Sequence, residues 1–507
     1  MQIPIRAHLL PLFLTAALAA PAGAQSDWGD YTTDLEISNP SPDNFDRFGA
    51  GVGLWGDIAV IGVPGDDDKG IDAGAVQVFD RSLGWVEVLK LHPTDVVAGD
   101  EFGTTCAVDL LLIAAASKQS SFTHNGAVYL FDTIIGQQIQ RILAPQPDAT
   151  EFGRSLDTDN NITIVGARRS MLGAAVVPDV GVAYLFDGSG FPLNTFQPSD
   201  GAANDFFGTS VAIHGNRCIV GAPMADLPPN LFDAGAAYVF DVMTGTQLYK
   251  LTASDASFFD EFGTDVAIHG DFALVGAPKN NVLVSDDGAA YLFDLTTGLE
   301  IAMFTGEDTL SSGGRLGQRV ALDSDYGYLA APGIQGLIGS DPFQGHIFQV
   351  DLTHLNVLAW FTHPDPTAGG PSPLGGALDV YDGVVLSGDE TSPGPPLVVS
   401  EGAVQIMTKK ELGLGIDKAV ATTGDTLTFT LRGGQAGGLA GFAAIAINGA
   451  PLGPIVFGLS TFDASGELVV PVPVPPGLGG NTLTFWSAGI AKTGALVFAN
   501  TRDVQFL

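Results

Sequence analysis

Short runs of alternating apolar and polar residues follow one another along the chain, and tight turns separate them. Val211-Ala212-Ile213 leads into the turn His214-Gly215-Asn216, and Val266-Ala267-Ile268 leads into His269-Gly270-Asp271. Alternation with a period of two is typical of β-strands with one buried face. The 66 Gly and 31 Pro residues fit many short strands joined by turns. The pattern therefore predicts an all-β protein.

One unit of this pattern occurs seven times, at intervals of 50 to 58 residues. Each copy opens with Phe or Leu followed by Gly: Phe48-Gly49, Phe102-Gly103, Phe152-Gly153, Phe207-Gly208, Phe262-Gly263, Leu316-Gly317 and Leu374-Gly375. The second strand of the clearest copies ends in Gly221-Ala222-Pro223 and Gly276-Ala277-Pro278. Four short strands in about 50 residues predict one propeller blade. Seven copies therefore predict a seven-bladed β-propeller.

The Phe-Gly openings together with the Gly-Ala-Pro strand ends resemble the FG-GAP repeat. This repeat forms the blades of integrin α-chain heads and of many exported bacterial proteins. The resemblance extends over about residues 33–411. It implies a closed ring of blades that binds partners through its loops.

Ring closure follows from the two ends of the repeat region. The seventh copy lacks a fourth strand of its own, while a strand-like segment, residues 34–37, precedes the first copy. We expect that segment to pair with the strand at 402–407, because this removes an exposed sheet edge. The propeller is therefore expected to include residues 25–411.

The two ends of the chain differ from the repeats. Arg6 precedes an apolar run from Leu9 to Ala20, and Ala22-Gly23-Ala24 supplies small residues for cleavage. Residues 1–24 are therefore predicted to be a signal peptide of a secreted or cell-surface protein, and no later run is long enough for a membrane span. Residues 412–507 contain other alternating runs between Gly/Pro turns, which predict a small C-terminal β-sandwich.

The chain is strongly acidic, with 56 Asp+Glu against 21 Lys+Arg and a formal net charge of -35. This charge excludes nucleic acid as a partner, since phosphates require a basic surface, and it disfavours docking on anionic membranes. One interpretation is that acidic residues keep a large β-protein soluble. The other is a partner that is basic, polyhydroxylated or bridged by cations.

Two cysteines and eight histidines offer little catalytic chemistry. Cys106 and Cys218 belong to repeats that are not neighbours, so we expect two buried free thiols. His214 and His269 occupy the same turn in two repeats, which is typical of turn residues rather than a catalytic site. The sequence contains no nucleophile elbow, zinc-binding pair of histidines or phosphate loop. We therefore expect no catalytic residues and no bound organic cofactor.

One acidic loop is a candidate calcium site. Asp66, Asp68 and Asp72 surround Gly70 at alternating spacing, in the loop between the second and third strands of the first blade. Oxygen ligands on alternate residues of a bent loop suit Ca²⁺. The resemblance implies calcium loops between strands one and two instead, but those turns have only two to four residues here. The alternative is a solvated acidic loop without metal.

The loops that join strands two and three (2–3 loops) and those that join successive blades (4–1 loops) are expected on one face. They are longer than the turns on the opposite face, and loops on a rigid scaffold often carry function. The alternative is sequence drift in unconstrained loops. The candidate partner-contacting residues are Asp205, Phe206, Asp255, Phe258, Asp260, Asp286 and Asp287.

A binding or adhesion function follows from the resemblance and from the missing catalytic motifs. We expect a protein or glycan partner outside the cell. One alternative is an enzyme that uses the propeller as a scaffold and acts on extracellular polymers, since propellers support many chemistries. The other is a structural component of a surface layer, which self-assembly would indicate.

Overall fold

A computed structural model divides the chain into two compact units with a boundary between Lys409 and Lys410. The structure describes residues 31–32, 35–40, 45–118, 125–146, 150–170, 178–281, 287–305, 314–332, 345–352, 355–362, 375–389 and 403–408 of the first unit, and the backbone of strands within 413–506 of the second. The predicted signal peptide, residues 1–24, lies outside these residues.

The first unit is a seven-bladed β-propeller, as the repeats predicted. Blades one to five are four-stranded antiparallel sheets whose strands follow chain order. Blade one contains Val52–Trp55, Ile58–Val63, Ala75–Asp80 and Val86–Leu91, and blade two contains Cys106–Val108, Leu112–Ser117, Ala127–Asp132 and Gln138–Ile142. Blade three contains Thr150–Asp159, Ile162–Arg169, Val182–Asp187 and Pro192–Phe196, and blade four contains Ser210–His214, Arg217–Ala222, Ala236–Asp241 and Gln247–Leu251. Blade five contains Val266–His269, Phe272–Ala277, Ala289–Asp294 and Leu299–Thr305. A 3₁₀ helix, Arg81–Leu83, joins strands three and four of blade one.

The N-terminal segment joins the last two blades. Blade six contains Arg319–Leu322, Tyr326–Ala331, His346–Asp351 and Asn356–Thr362, and blade seven contains Ala377–Tyr381, Val384–Asp389 and Ala403–Thr408. Leu35–Ser38 is the fourth strand of blade seven and pairs antiparallel with residues 403–406, which confirms the predicted closure. Tyr31–Thr32 adds a fifth, parallel strand to blade six, which the sequence did not indicate.

Neighbouring blades meet at glycines of the two repeat motifs. A Cβ on Gly221, at the end of strand two of blade four, would overlap the carbonyl oxygen of Gly263 in blade five. Gly62, Gly166, Gly276 and Gly388 stand in the same relation to the Phe-Gly glycine of the next blade. Gly263 also has a φ of 92°, a conformation that glycine adopts without strain. Both motif glycines are thus required by the close approach of two backbones.

The Phe of each Phe-Gly motif anchors the core of its own blade. Phe262 packs against Tyr291 and Phe293 of strand three, with ring centroids 5.5 and 5.9 Å apart. Phe207, Phe152 and Phe102 repeat this arrangement in blades four, three and two. Aliphatic side chains from adjacent blades fill the remaining space, so the core is a series of layers between blades.

Both cysteines are buried and free, as the repeat assignment predicted. Cys106 lies in strand one of blade two and Cys218 in strand two of blade four. Burial raises the pKa of both thiols, which keeps them protonated and unreactive in the folded protein.

The second unit is also made of β-strands, and they form two sheets. Three strands make the first sheet: Gly413–Ile416, Thr426–Arg432 and Glu467–Pro473. The other sheet contains Val420–Ala421, Leu439–Ile447, Ala450–Thr461, Thr482–Ile490, Leu496–Phe498 and Arg502–Phe506. The β-sandwich predicted for residues 412–507 remains a prediction beyond this all-β content.

The glycine contacts between blades predict an asymmetric response to alanine. Gly221→Ala should destabilise the propeller by about 1–3 kcal/mol, because the new Cβ meets a backbone oxygen that cannot move without shifting blade five. Gly215→Ala is the reference for backbone strain alone: a Cβ at that turn meets nothing within 4 Å, but its φ of 60° costs alanine about 1 kcal/mol. Urea unfolding followed by circular dichroism measures both. A Gly221→Ala loss no larger than that of Gly215→Ala would contradict this account of blade packing.

Candidate functional site

The long loops lie on one face, which we call the loop face, and they brace one another in pairs. Gly235, at the end of the 2–3 loop of blade four, forms a parallel bridge with Phe262, at the end of the following 4–1 loop. Gly74 with Phe102 and Gly181 with Phe207 repeat the bridge. At these positions, neighbouring loops are joined through their backbones, as binding loops on a rigid scaffold are.

Several of the predicted contact acids are buried in these loops. Asp205, Asp260 and Asp287 have exposed fractions of 4%, 0% and 5%. Asp205 Oδ2 accepts the N–H of Ala202 at 2.7 Å, and Asp260 Oδ2 accepts that of Ser257 at 2.6 Å. Burial raises the pKa of both carboxyls to about 6. The carboxylates of Asp205 and Asp260 thus stabilise the turns in which they lie by accepting a backbone hydrogen bond.

The remaining predicted residues differ in exposure. Asp255 is exposed and accepts the Tyr291 hydroxyl at 2.7 Å. Phe206 is half-buried beneath two cations, with Arg168 Cζ and Arg169 Cζ 5.8 and 5.7 Å from its ring centroid. Phe258 is 47% exposed. Asp286 lies outside the described residues. The partner face itself stays a prediction.

Three exposed phenyl rings form a cluster above blades four and five, which we call the phenylalanine ledge. It comprises Phe232 of a 2–3 loop with Phe258 and Phe259 of the next 4–1 loop, exposed by 53%, 47% and 55%. Ring centroids lie 6.3 Å apart for Phe232 and Phe258, and 6.5 Å apart for Phe258 and Phe259. Of these rings, only Phe258 is among the candidate contact residues predicted from the sequence. Phe259 could have been noticed because Gly99 and Asn204 occupy its position in two other repeats.

The backbone fixes this ledge in place. The N–H of Phe259 donates to the carbonyl of Phe232 at 3.0 Å, and that of Glu261 donates to the carbonyl of Asp233 at 3.2 Å. Phe259 and Glu261 have φ values of 65° and 55°, a region sparsely populated by residues other than glycine. Such conformations persist where the surrounding contacts determine them.

The candidate calcium loop contains its own cation. Lys90 Nζ lies 2.5 Å from Asp66 Oδ2 and 2.7 Å from Asp68 Oδ2. His92 Nε2 is 3.8 Å from the same oxygen of Asp68, so Asp66, Asp68 and His92 could converge on a metal ion. The structure does not bring Asp72 into this group; its backbone N–H donates to Asp67. Calcium binding here stays a hypothesis that requires displacement of the Lys90 ammonium.

Strand one of every blade lines a central channel with a cavity of about 680 Å³. Asp157, Asp265 and Asp379 lie along it, and each accepts a backbone N–H from the next blade. The donors are Ile213, Val320 and Leu54, at 2.8, 2.8 and 2.7 Å. Burial raises the pKa of Asp157 and Asp379 to about 7 and that of Asp265 to about 6.

Three segments of the chain match the family model of the FG-GAP repeat: residues 42–79, 194–240 and 246–293. The second and third segments run from strand four of one blade through strand three of the next. No curated protein sequence matches the chain. No helix among the described residues is long and apolar enough to cross a membrane.

Solved structures that align with the chain include a europium-containing methanol dehydrogenase, at 9% identity and a TM-score of 0.37, over 71% of this chain and 77% of that one. The quinohemoprotein alcohol dehydrogenase from Comamonas testosteroni aligns at 11% identity and a TM-score of 0.39, over 92% and 77%. The glutaminyl cyclase of Myxococcus xanthus aligns at 8% and 0.26, over 51% and 91%. Similarities this low support no argument about function.

The raised pKa values of the channel aspartates Asp157 and Asp379 predict that the propeller is more stable at pH 5 than at pH 8. A carboxyl has a pKa of about 3.9 in an unfolded chain. Asp157 and Asp379, with a pKa of about 7, therefore bind more protons in the folded state. Stability then falls as the pH rises through the window between about 4 and 7.

We expect scanning calorimetry to show this fall and Asp379→Asn to reduce it by on the order of 2 °C. Asparagine keeps the shape and one acceptor oxygen but does not titrate. Asp294→Asn is the matched control, because hydrogen bonds from Thr296 lower the pKa of that exposed carboxyl, so its removal should leave the fall unchanged. Equal midpoints at both pH values would contradict the prediction.

A substitution of Lys90 tests whether the acidic loop of blade one can bind calcium. Lys90→Met removes the ammonium between Asp66 and Asp68 and installs the residue found at the equivalent position of blade five, Met303. We expect Ca²⁺ to raise the thermal midpoint of this variant more than that of the wild type, since two carboxylates then lack a counter-charge. Asp66→Ala/Asp68→Ala in the same background should abolish the rise. Equal calcium responses of Lys90→Met and the wild type would count against a site in this loop.

Proposed function

We propose that this chain, an FG-GAP repeat β-propeller, is an extracellular binding protein that engages a protein partner through the loop face of blades four and five. The observation that carries the proposal is the phenylalanine ledge. The extracellular location rests on the signal peptide expected at residues 1–24, and the role is binding rather than catalysis.

The ledge has the physical character of an anchor for a partner. Exposed aromatic rings that are close together are unfavourable in water, and on soluble proteins they commonly mark interaction sites. Phe232 and Phe259 are joined by a backbone hydrogen bond, so little conformational entropy is lost when a partner covers them. Aromatic residues in the centre of an interface often supply most of its binding energy.

Acidic groups beside the ledge indicate the chemistry of the partner. Asp226 is exposed. The pKa of Asp233 is raised mainly by burial, and the negative charges of Asp226 and Glu261 raise it further. Lys279 neutralises Glu261 at 2.7 Å, which leaves an acidic margin on one side of the rings. This combination suits a protein that inserts an apolar side chain and places Lys or Arg around it. Such a contact weakens with added salt, because exposed charges are screened over about 8 Å at physiological ionic strength.

The test starts with the secreted protein on protein and glycan arrays, to identify a ligand. Phe232→Ser/Phe258→Ser should weaken binding to a protein ligand at least about tenfold, as loss of a hot spot does. Because both rings are exposed, the double variant should keep its stability within about 0.5 kcal/mol. Phe191→Ser is the matched control, since Phe191 is 65% exposed in the turn between strands three and four of blade three.

Three results would overturn the proposal. One is full affinity of the Phe232→Ser/Phe258→Ser variant for every ligand found. The other is a ligand set composed only of glycans, which would move the function to a different partner class. A loss of affinity in Phe191→Ser equal to that of the double variant would also remove the ledge as the contact.

A further inference from the structure

Four basic residues of this acidic chain lie where the central channel opens on the loop face. Lys118, Arg154, Arg168 and Arg319 line the channel there, together with Glu151. Strand one runs from the loop face inward, and Arg154 directly follows the Phe-Gly motif of blade three. A chain with a net charge of -35 thus carries a group of cations at the mouth of this cavity, although Lys118 and Arg168 are paired with Glu101 and Glu151.

Arg154 forms no close ion pair or hydrogen bond with any residue that the structure describes, although the charge of Glu151 attracts it. Its side chain is exposed to the channel. Arg168, by contrast, is paired with Glu151, and Arg169 Nε lies 3.0 Å from the other oxygen of the same carboxylate. Burial and repulsion from Arg168 and Arg319 lower the pKa of Arg154, and the attraction of Glu151 opposes them. An anion near Arg154 would offset this repulsion.

Arg319 of blade six completes the arrangement. Its Nη1 donates to the carbonyl of Gln318 at 2.8 Å, which orients the guanidinium. Gln318 directly follows the Leu-Gly motif of blade six, which is the position that Arg154 occupies in blade three. Thr104, Thr209 and Thr264 occupy this position in blades two, four and five. The hydroxyls of Thr209 and Thr264 already donate to the carbonyls of Phe206 and Glu261. The mouth therefore offers the guanidinium groups of blades three and six and the amide of Gln318 as donors.

The depth of the channel limits what can enter. Below the arginines, the walls carry small side chains, among them Ala107, Ala212, Ala267 and Ala321. The volume of about 680 Å³ lies within the range of small-molecule pockets, roughly 300–1,000 Å³. The arginines would repel a folded protein segment with a basic margin and attract a small anion. The carboxyls of Asp157, Asp265 and Asp379 also line the channel, so the attraction is local to the arginines.

We propose that the loop-face mouth of the central channel binds a small organic oxyanion, a ligand with carboxylate or sulfate groups, through Arg154 and Arg319. Arginine presents several N–H donors in a planar fork that matches the two oxygens of such groups. The side-chain amide of Gln318 supplies a further donor beside them. This site is separate from the partner surface proposed above, and either can exist without the other.

Titration of the full chain with citrate and with sulfate tests the proposal, with sodium chloride added to equal ionic strength as the reference. A ligand that binds only the folded state raises the thermal midpoint as its concentration passes the dissociation constant. We expect a rise with citrate beyond that with chloride, and a heat of binding by calorimetry. A response to sulfate equal to that of citrate would assign the site to any oxyanion rather than to a carboxylate.

Arg154→Gln separates binding from folding. It should weaken citrate binding about tenfold or more, the loss expected for a hydrogen bond to a charged group. Without citrate it should leave the midpoint unchanged or higher, because it relieves repulsion among the arginines; a structural role would lower it. Arg81→Gln is the matched control, since Arg81 is exposed in the 3₁₀ helix of blade one.

Gln318→Leu provides a second variant at the same level of the channel and should also weaken citrate binding. The proposal is overturned if neither anion exceeds the chloride reference, or if Arg154→Gln and Arg81→Gln bind citrate equally. An Arg154→Gln protein with a clearly lowered midpoint would likewise assign Arg154 a structural role.

Discussion

The contact between two backbones at the end of strand two determines the geometry of the ring. Gly221 lies so close to the carbonyl of Gly263 that no side chain fits between them, and four other blade pairs repeat this approach. The contact places each Phe-Gly opening beside the preceding blade. The Phe then fills the core, and the glycine lets the chain turn into strand one. The braced loops, the ledge and the channel mouth all follow from that placement.

Blades two and six show how much variation the contact tolerates. Ala116 and Ala330 take the place of the strand-two glycine there, and a Cβ on the facing glycines, Gly153 and Gly375, would meet these alanine methyl groups instead of a carbonyl. One methyl group can be accommodated if the facing residue is glycine. This explains why the Gly-Ala-Pro motif is variable among repeats while the second residue of each Phe-Gly or Leu-Gly opening is invariably glycine in this chain.

The sequence indicated the blades, the closing strand and the buried thiols, because each depends on a local pattern repeated in register. It did not indicate how exposed the loop acids are. Asp260 and Asp255 are five residues apart and equally polar, yet one is buried beneath its own turn and the other faces solvent. Lys90 likewise reaches the acidic loop from strand four, a contact between distant residues that spacing alone does not predict. The short parallel strand Tyr31–Thr32 has too little pattern to be recognised.

The N-terminal strand has a consequence for how the chain folds. Leu35 pairs with Ile406, so a strand that precedes the first blade in the chain pairs with the last strand of the propeller. Contacts of such long sequence separation are slow to form, because a large loop must close before they contribute. Until then, the outer edge of blade seven is open to pairing with another chain. Two copies that exchanged their N-terminal strands would satisfy the same hydrogen bonds, so ring closure competes with domain-swapped dimerisation at high protein concentration.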